Sequence, residues 1–402
     1  VSTKLPLDFF QRVNRVEDLV GLCPKKADDS FFKTLPNTIS IYCVGGAVRD
    51  FLLGKSFSDK DFVLVGADLD YFKKKGLKAV GKNFPVFLHP NTNEELALAR
   101  REKKHGIGYK GFVFFTGKEV SLKEDLRRRD FTINAMAVDE YGNLHDPFGG
   151  RKDLSSKTIK HVSPAFVEDP LRVIRLGRFL AQLTEFNVHK DTYELCKEIV
   201  KSKEILTLSK ERIWTEISKG FVGRKPINMI NFLLDCGAWK EITGSSNFST
   251  ELHLFLESVE TNKISLEWIV ANIFQDADLG NVHCTFPKAV HTAINVLKRT
   301  KVCRKNYIDT HNIYNGKNDV ILDIFEKANL FRNPTNLTDF LNVSFYKHPK
   351  QRKILASCFE FLSQFSLKPI IDSNHKKIEI KSAIRKYRLK KLNEFMLLKN
   401  FS

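Results

Sequence analysis

Two aspartates with one residue between them, Asp59 and Asp61, head a hydrophobic run in Ser58-Asp-Lys-Asp-Phe-Val-Leu-Val-Gly66. On a strand, residues i and i+2 share a face, so the spacing predicts that the two carboxylates project together while Lys60 points away. Like charges held side by side make each other harder to ionise. Divalent cations reverse that balance. Mg²⁺ takes carboxylate oxygens together with phosphate oxygens, and two such ions activate an attacking hydroxyl and stabilise leaving pyrophosphate. The same four residues also suit a solvated turn, so the neighbouring segments must decide between a metal clamp and a loop.

Upstream, IYCVGGAVRDFLLG reads as a strand entering Gly45-Gly46 and then a helix. Adjacent glycines let a triphosphate approach backbone N–H groups, the helix start adds a positive dipole end, and Arg49 offers a charge-assisted fork. A plain tight turn is the alternative. Downstream, LRRRDFTINAMAVD runs Arg127, Arg128 and Arg129 into Asp130 and an apolar stretch containing Asn134, which reads as a buried helix with at least one arginine facing a cleft. Next, EDPLRVIRLGRF predicts a helix capped by Asp169 with Pro170 in its first turn. At 100° per residue, Arg172, Arg175 and Arg178 fall within an arc of about 120°, beside an apolar arc of Val173, Leu176, Leu180 and Leu183. Arginine without lysine at that spacing favours planar recognition of phosphates or base edges over a merely solvated face.

These residues need a scaffold. Short strand-like runs, ISIYCV, KDFVLVG, AVGKNFPVFL, ELALA and GFVFF, alternate with helix-like segments between Ile39 and Lys160, predicting an α+β unit. Beyond Pro170 the pattern is helical almost throughout, broken near Gly220–Pro226, Gly237, Gly280–Pro287, Asn333-Pro334 and Pro369. The final block, KKIEIKSAIRKYRLKKLNEFMLL, predicts a basic helix with an apolar stripe at Ile378, Ile380, Ile384, Leu389 and Leu392. The chain has 402 residues, 65 Lys and Arg against 47 Asp and Glu, and a formal net charge of +18, a balance that favours a nucleic-acid partner. A hydrophobic share of 42% excludes global disorder, and no apolar run approaches a membrane span. Seven scattered cysteines without a Cys-x-x-Cys pair predict reduced, mostly buried thiols and a cytoplasmic setting. The chain opens on Val1, which leaves a removed leader open.

Taken together, GGAVRDFLLG, DKDFVLVG, RRRDFTINA, DPFGGRKDL and EDPLRVIRLGRF resemble the class II tRNA nucleotidyltransferases, the CCA-adding enzymes, and the related bacterial poly(A) polymerases, over about Ile41 to Trp239. The stretch VGKNFPVFLHPNTNEELALARREKK is more similar to the CCA-adding branch, and so is the tail IEIKSAIRKYRLKKL, which implies that the chain ends where that branch ends. The resemblance implies a nucleotidyltransferase palm with a mixed five-stranded sheet and helices over 39–160, after an extension over 1–38. It also implies an all-helical neck over 161–225 with the base-reading helix, a body over 226–345 and a tRNA-binding tail over 346–402. By the same likeness Asp59 and Asp61 bind two Mg²⁺ ions. Gly46, Arg49, Arg129, Arg175 and Arg178 match nucleotide-contacting positions, with Gly45 beside them. Asp169 and Arg172 match the pair that reads the incoming base, with Glu168 positioning Arg172. Cytosine and adenine both present an amine next to a ring acceptor, which Asp169 and Arg172 complement, whereas uracil and guanine present a carbonyl to the carboxylate.

The implied activity is template-independent addition of CCA to tRNA from CTP and ATP, with the tRNA acceptor arm as partner, no membrane and no evident obligate protein partner. A poly(A) polymerase, a partial CC- or A-adding enzyme, and a catalytically silent RNA-binding protein are the alternatives. His105–Lys110, HGIGYK, is expected to be a flexible loop that alters the pocket, and Glu95 matches an acidic position near the metals. Many relatives in this branch carry a metal-dependent phosphohydrolase in the helical half. Here that place reads Ile273-Phe-Gln275-Asp276-Ala-Asp278, and His253, His283 and His291 do not recreate a ligand set, so no phosphatase or phosphodiesterase activity is expected.

Overall fold

The computed structural model describes residues 19–56, 59–77, 79–80, 86–104, 112–309, 318–373 and 377–399. The HGIGYK segment lies outside them. Two units emerge from the packing: residues up to Arg212 together with Met229–Ile242, and Ile213–Asn228 together with Thr243 onward.

The first unit is built on a mixed sheet. Chain order runs β1 (Ser40–Val44), α1 (Gly46–Leu52), β2 (Asp61–Val65), α2 (Leu69–Lys74), β3 (Ala79–Val80), β4 (Val86–Leu88) and β5 (Glu95–Leu98). It continues through β6 (Arg100–Lys104), β7 (Phe112–Thr116), α3 (Leu122–Arg127), β8 (Ala137–Asp139), β9 (Leu144–His145) and α4 (Gly150–Ser155). The strand order is β3-β4-β5-β2-β1-β8-β9. Five strands of three or more residues carry the sheet, and the two-residue strands β3 and β9 extend it at its edges. Only the β2–β5 pairing is parallel; the rest are antiparallel.

The FVFF of GFVFF is a strand as read, and β7 pairs with β6 in a two-stranded ribbon separate from the main sheet. One expectation about these elements is corrected. The place beside β1 is taken by β8, from the stretch read as a buried helix; Thr132–Asn134 forms a short 3₁₀ turn and Ala137–Asp139 is a strand. Every residue from Phe131 to Val138 is buried, and a run buried on all sides has no period from which to tell helix from strand.

Strand β2 shows why this sheet forms. Phe62, Val63 and Leu64 are all buried, so both faces are covered, and each such side chain contributes about 1.5–3 kcal/mol. Phe72 of α2 stacks on Phe87 of β4 with ring centroids 5.0 Å apart, and Phe32 meets Phe62 edge-on at 6.0 Å. Residues 19–38 therefore share this core. All seven cysteines are free and buried, and burial pushes the Cys23 and Cys43 thiols up to about 12.

The remaining elements are helical apart from the two-residue strands β10 (Thr158–Ile159) and β11 (Asn187–Val188), which pair in parallel. The helices are α5 (Leu171–Gln182), α6 (Lys190–Lys201), α7 (Lys210–Phe221), α8 (Pro226–Asp235) and α9 (Ala238–Thr243). They continue as α10 (Thr250–Ser258), α11 (Leu266–Phe274), α12 (Lys288–Asp309), α13 (Asn318–Lys327), α14 (Leu337–Ser344), α15 (Pro349–Ser363), α16 (Lys368–Ser373) and α17 (Lys377–Lys399). Aromatic edges hold the second unit together: Trp268 on Phe340 at 5.9 Å and Trp214 on Phe286 at 5.6 Å. In α17, Leu392, Phe395 and Met396 are buried, whereas Ile380, Ile384 and Leu389 are half-buried. Two of its arginines serve packing: Arg385 pairs with Asp319, Asp323 and Glu326, and the Arg388 guanidinium lies 3.5 Å from the Phe331 ring centroid. Lys381, Lys386 and Lys390 remain exposed. Among the described residues, no helix is long and apolar enough to cross a membrane.

Candidate active site

A cavity of about 550 Å³ lies in the first unit. Strand register creates its floor. β1 ends at Val44, whose partner across the antiparallel pair is Asp61, and Asp61 stands opposite Glu95 across the parallel pair. The Gly45-Gly46 turn, the Asp61 carboxylate and Glu95 are thus brought to one end of the sheet. Gly45 holds φ +74°, a left-handed value, and a Cβ there would stand 3.0 Å from Arg129 Nη1. The left-handed backbone angle favours glycine here.

Gly45, Gly46, Arg49, Asp61, Arg129, Asp169, Arg172, Arg175 and Arg178 all line this cavity. Asp59 does not. It lies in the loop just before β2, which begins at Asp61, so the expectation that both aspartates sit on one strand is corrected. Asp59 still acts on Asp61. Partial burial raises the Asp61 pKa, Arg129 opposes the rise and Asp59 adds to it; Glu95 is raised by burial, then by Asp61 and Asp59.

Two buried aspartates aim the arginines. Asp125 is fully buried; its Oδ1 accepts from Arg128 Nε at 2.9 Å and Nη2 at 2.8 Å, and its Oδ2 from Arg129 Nη2 at 3.2 Å. Asp130 Oδ2 accepts from Arg175 Nε at 2.9 Å and Nη2 at 2.7 Å. Its Oδ1 takes the Asn134 amide at 3.0 Å, and Asn134 Oδ1 in turn accepts from Arg49 Nη1 at 2.7 Å. Phe179 lies beneath, with the guanidinium carbons of Arg178, Arg49 and Arg175 at 4.4, 5.1 and 5.9 Å from its ring centroid. Sequence reasoning singled out the Arg triplet and Asn134, but Asp125, Arg100, Phe179 and Arg212 went unremarked. Apolar spacing could have marked Phe179, on the helix beside Arg178, and helical spacing to Arg128 and Arg129 could have marked Asp125; Arg100 and Arg212 meet their partners across 25 and 43 residues and carry no local signal.

Burial alone raises the Asp130 carboxyl pKa, but Arg175 and Asn134 more than offset it and hold it well below the usual carboxylate range. A depressed folded pKa contributes stability above the unfolded value, about 3.9 for Asp, and that contribution is lost as the pH falls below it. Asp130→Asn is expected to lower the unfolding free energy by about 1.5–3 kcal/mol near neutral pH. In urea denaturation the gap to the parent should narrow below about pH 4. An unchanged gap in acid would show that the carboxylate charge is not its source.

Helix α5 presents the remaining groups. Pro170 already has helical angles, φ −58° and ψ −20°, and Asp169 Oδ1 accepts from the Leu171 N–H at 3.1 Å, so Asp169 caps the helix as expected. Leu176, Gly177 and Leu180 are buried on the opposite side, where a Cβ on Gly177 would meet Met229 Cγ at 3.1 Å. Arg172 is buried; its Nη1 donates to the Ala165 carbonyl at 2.8 Å and its Nη2 to that of Arg128. Asp169 Oδ2 accepts from Arg212 Nη2 at 2.9 Å.

Residues 41–160 match the poly A polymerase head domain family. The chain is 53% identical over 195 residues to the multifunctional CCA protein of Leptothrix cholodnii, an alignment covering 48% of this chain and 46% of that one, so it spans about half the length of that relative. It is 41% identical over 311 residues to the CCA-adding enzyme of Pseudomonas putida, covering 76% of this chain and 83% of the relative. The chain belongs to the CCA-adding enzyme family. A solved structure of the Bacillus stearothermophilus CCA-adding enzyme in complex with CTP shares the fold, with TM-score 0.62, 24% identity and 89% of each chain covered. The resemblance read from the five motifs is thus borne out, as is the fold of a mixed sheet followed by helices.

In and near residues 273–278, several polar groups are engaged with neighbouring side chains. Asp276 pairs with Lys301 at 2.6 Å, Gln275 bonds Asn272 and Arg304, and His291 meets Phe286 edge-on. Among the described residues, no three His, Cys, Asp or Glu side chains form a group that could hold a metal ion.

Proposed function

We propose that this chain adds C, C and A in turn to the 3′ end of tRNA from CTP and ATP, releasing pyrophosphate, with no nucleic-acid template. One observation carries the reading: a carboxylate and an arginine suited to an amine-bearing base edge, Asp169 and Arg172, share a cavity with Asp61 and with arginines suited to a triphosphate.

Asp59 and Asp61 hold two Mg²⁺ ions in this reading, with Glu95 alongside. A two-carboxylate donor set fits Mg²⁺, which completes its shell with water and substrate phosphate oxygens and needs no all-protein cage. Bound there, the ions supply activation of the tRNA 3′ hydroxyl and neutralisation of charge on the departing pyrophosphate. The chain's own groups do the rest. Gly45 and Gly46 let the phosphates approach the backbone. Arg49, Arg129, Arg175 and Arg178 fix the triphosphate by charge-assisted hydrogen bonds. Asp169 accepts from the exocyclic amine of cytosine or adenine, and Arg172 donates to the ring acceptor beside it. Residues 39–160 serve as palm and 161–225 as neck. The body (226–345) and the basic tail (346–402) hold the tRNA acceptor arm through shape and backbone contacts. Seven free thiols suit the reducing cytoplasm.

Pure protein, Mg²⁺ and tRNA lacking its 3′ end, supplied with CTP, ATP or both, test the proposal by product length on a gel. Three added residues and no more is the expected outcome. A long ladder with ATP alone points to a poly(A) polymerase, an arrest after CC or a need for CC-ended tRNA to a partial enzyme, and no product to a silent RNA-binding protein.

A further inference from the structure

We infer that Arg212 is a specificity-determining residue that acts through Asp169, and the inference rests on the base-reading role proposed above. An acceptor-only carboxylate tells an amine edge from a carbonyl edge only while its oxygens are held facing that edge. A carboxylate free to turn presents its oxygens to the amine only part of the time, and the distinction of cytosine from uracil weakens. Two tethers restrain Asp169. The Leu171 N–H fixes Oδ1 from within the same helix start, and Arg212, on α7, reaches Oδ2 at 2.9 Å from 43 residues further along the chain. Both partners are mostly shielded, with side chains 25% and 21% exposed, and both line the cavity.

Each carboxylate oxygen has two lone pairs, so one tether on each leaves one acceptor site per oxygen for the incoming amine. Arg212 is therefore a positioning residue: it sets the plane of the group that reads the base.

Binding of CTP and of UTP to the whole chain with Mg²⁺, and kcat/KM for each on tRNA lacking its 3′ end, provide the test. In Arg212→Gln, preference for CTP over UTP is expected to fall by about tenfold or more through gain of UTP use, while Arg212→Lys, which keeps the charge, retains most of it. In an Asp169→Ala background, Arg212→Gln should change the preference no further, because the group it acts through is gone. That double variant also carries no orphaned charge, so it tests the idea even if Arg212→Gln alone fails to fold. Unaltered preference in folded Arg212→Gln, or a further loss in the double variant, overturns the inference and leaves the base-reading role standing. A parent chain that takes CTP and UTP equally overturns both.

Discussion

Asp61→Asn is expected to lower nucleotide addition by about 10³-fold or more, since metal-ion stabilisation of developing charge contributes several kcal/mol and about 1.4 kcal/mol is a factor of ten. tRNA affinity should stay within about twofold, because nucleic-acid binding rests on phosphate contacts from Lys and Arg. The argument is positional. Asp61 opens β2 and faces Val44 on one side and Glu95 on the other, so its carboxylate lies where the strand end, the glycine turn and Arg129 meet. Asn keeps the shape and hydrogen-bonding capacity but removes the charge. Single-turnover extension and a gel-shift titration on the same preparation separate chemistry from binding. Equal loss of both would make Asp61 a structural residue and remove the metal clamp from the mechanism.

Asp169→Ala is the second large effect. Sites that hydrogen-bond a substrate group reject analogues lacking it by factors up to about 10⁴–10⁵, and removal of the acceptor is expected to cost about 10²-fold or more of the discrimination against UTP. Stability should change less. Asp169 is partly exposed, Arg212 is left at the cavity wall within reach of water, and the lost helix cap costs about 1 kcal/mol. Competition between CTP and UTP during extension of tRNA lacking its 3′ end reads the ratio directly, and thermal unfolding controls for damage to the fold. Discrimination that survives the substitution would move base reading to another group in the cavity.

Much of this arrangement was legible before the fold. Local signals sufficed for the strand entering Gly45-Gly46, for Asp61 at the head of β2, and for the arginine arc on the helix that Asp169 caps, because each depends on residues within a few positions of one another. Asp59 was read one step too regularly: the strand begins at Asp61, and a pair at i and i+2 shares a strand face only if both belong to the strand. The buried stretch after Asp130 misled for a different reason, since apolar residues enclosed on every side show neither a helical nor a strand period.

By itself the sequence determined which chemistries the chain owns: a carboxylate pair, a glycine turn, arginines at helical spacing and a capped helix, all set by short-range backbone geometry. Only the tertiary structure decided where those groups point. Asp130 ties Arg175 through Asn134 to Arg49, and Arg212 restrains Asp169, contacts that join segments as many as 85 residues apart, whereas Asp125 holds Arg128 and Arg129 at helical spacing. A buried carboxylate must find its partner wherever the fold brings one, and sequence spacing carries no record of that search.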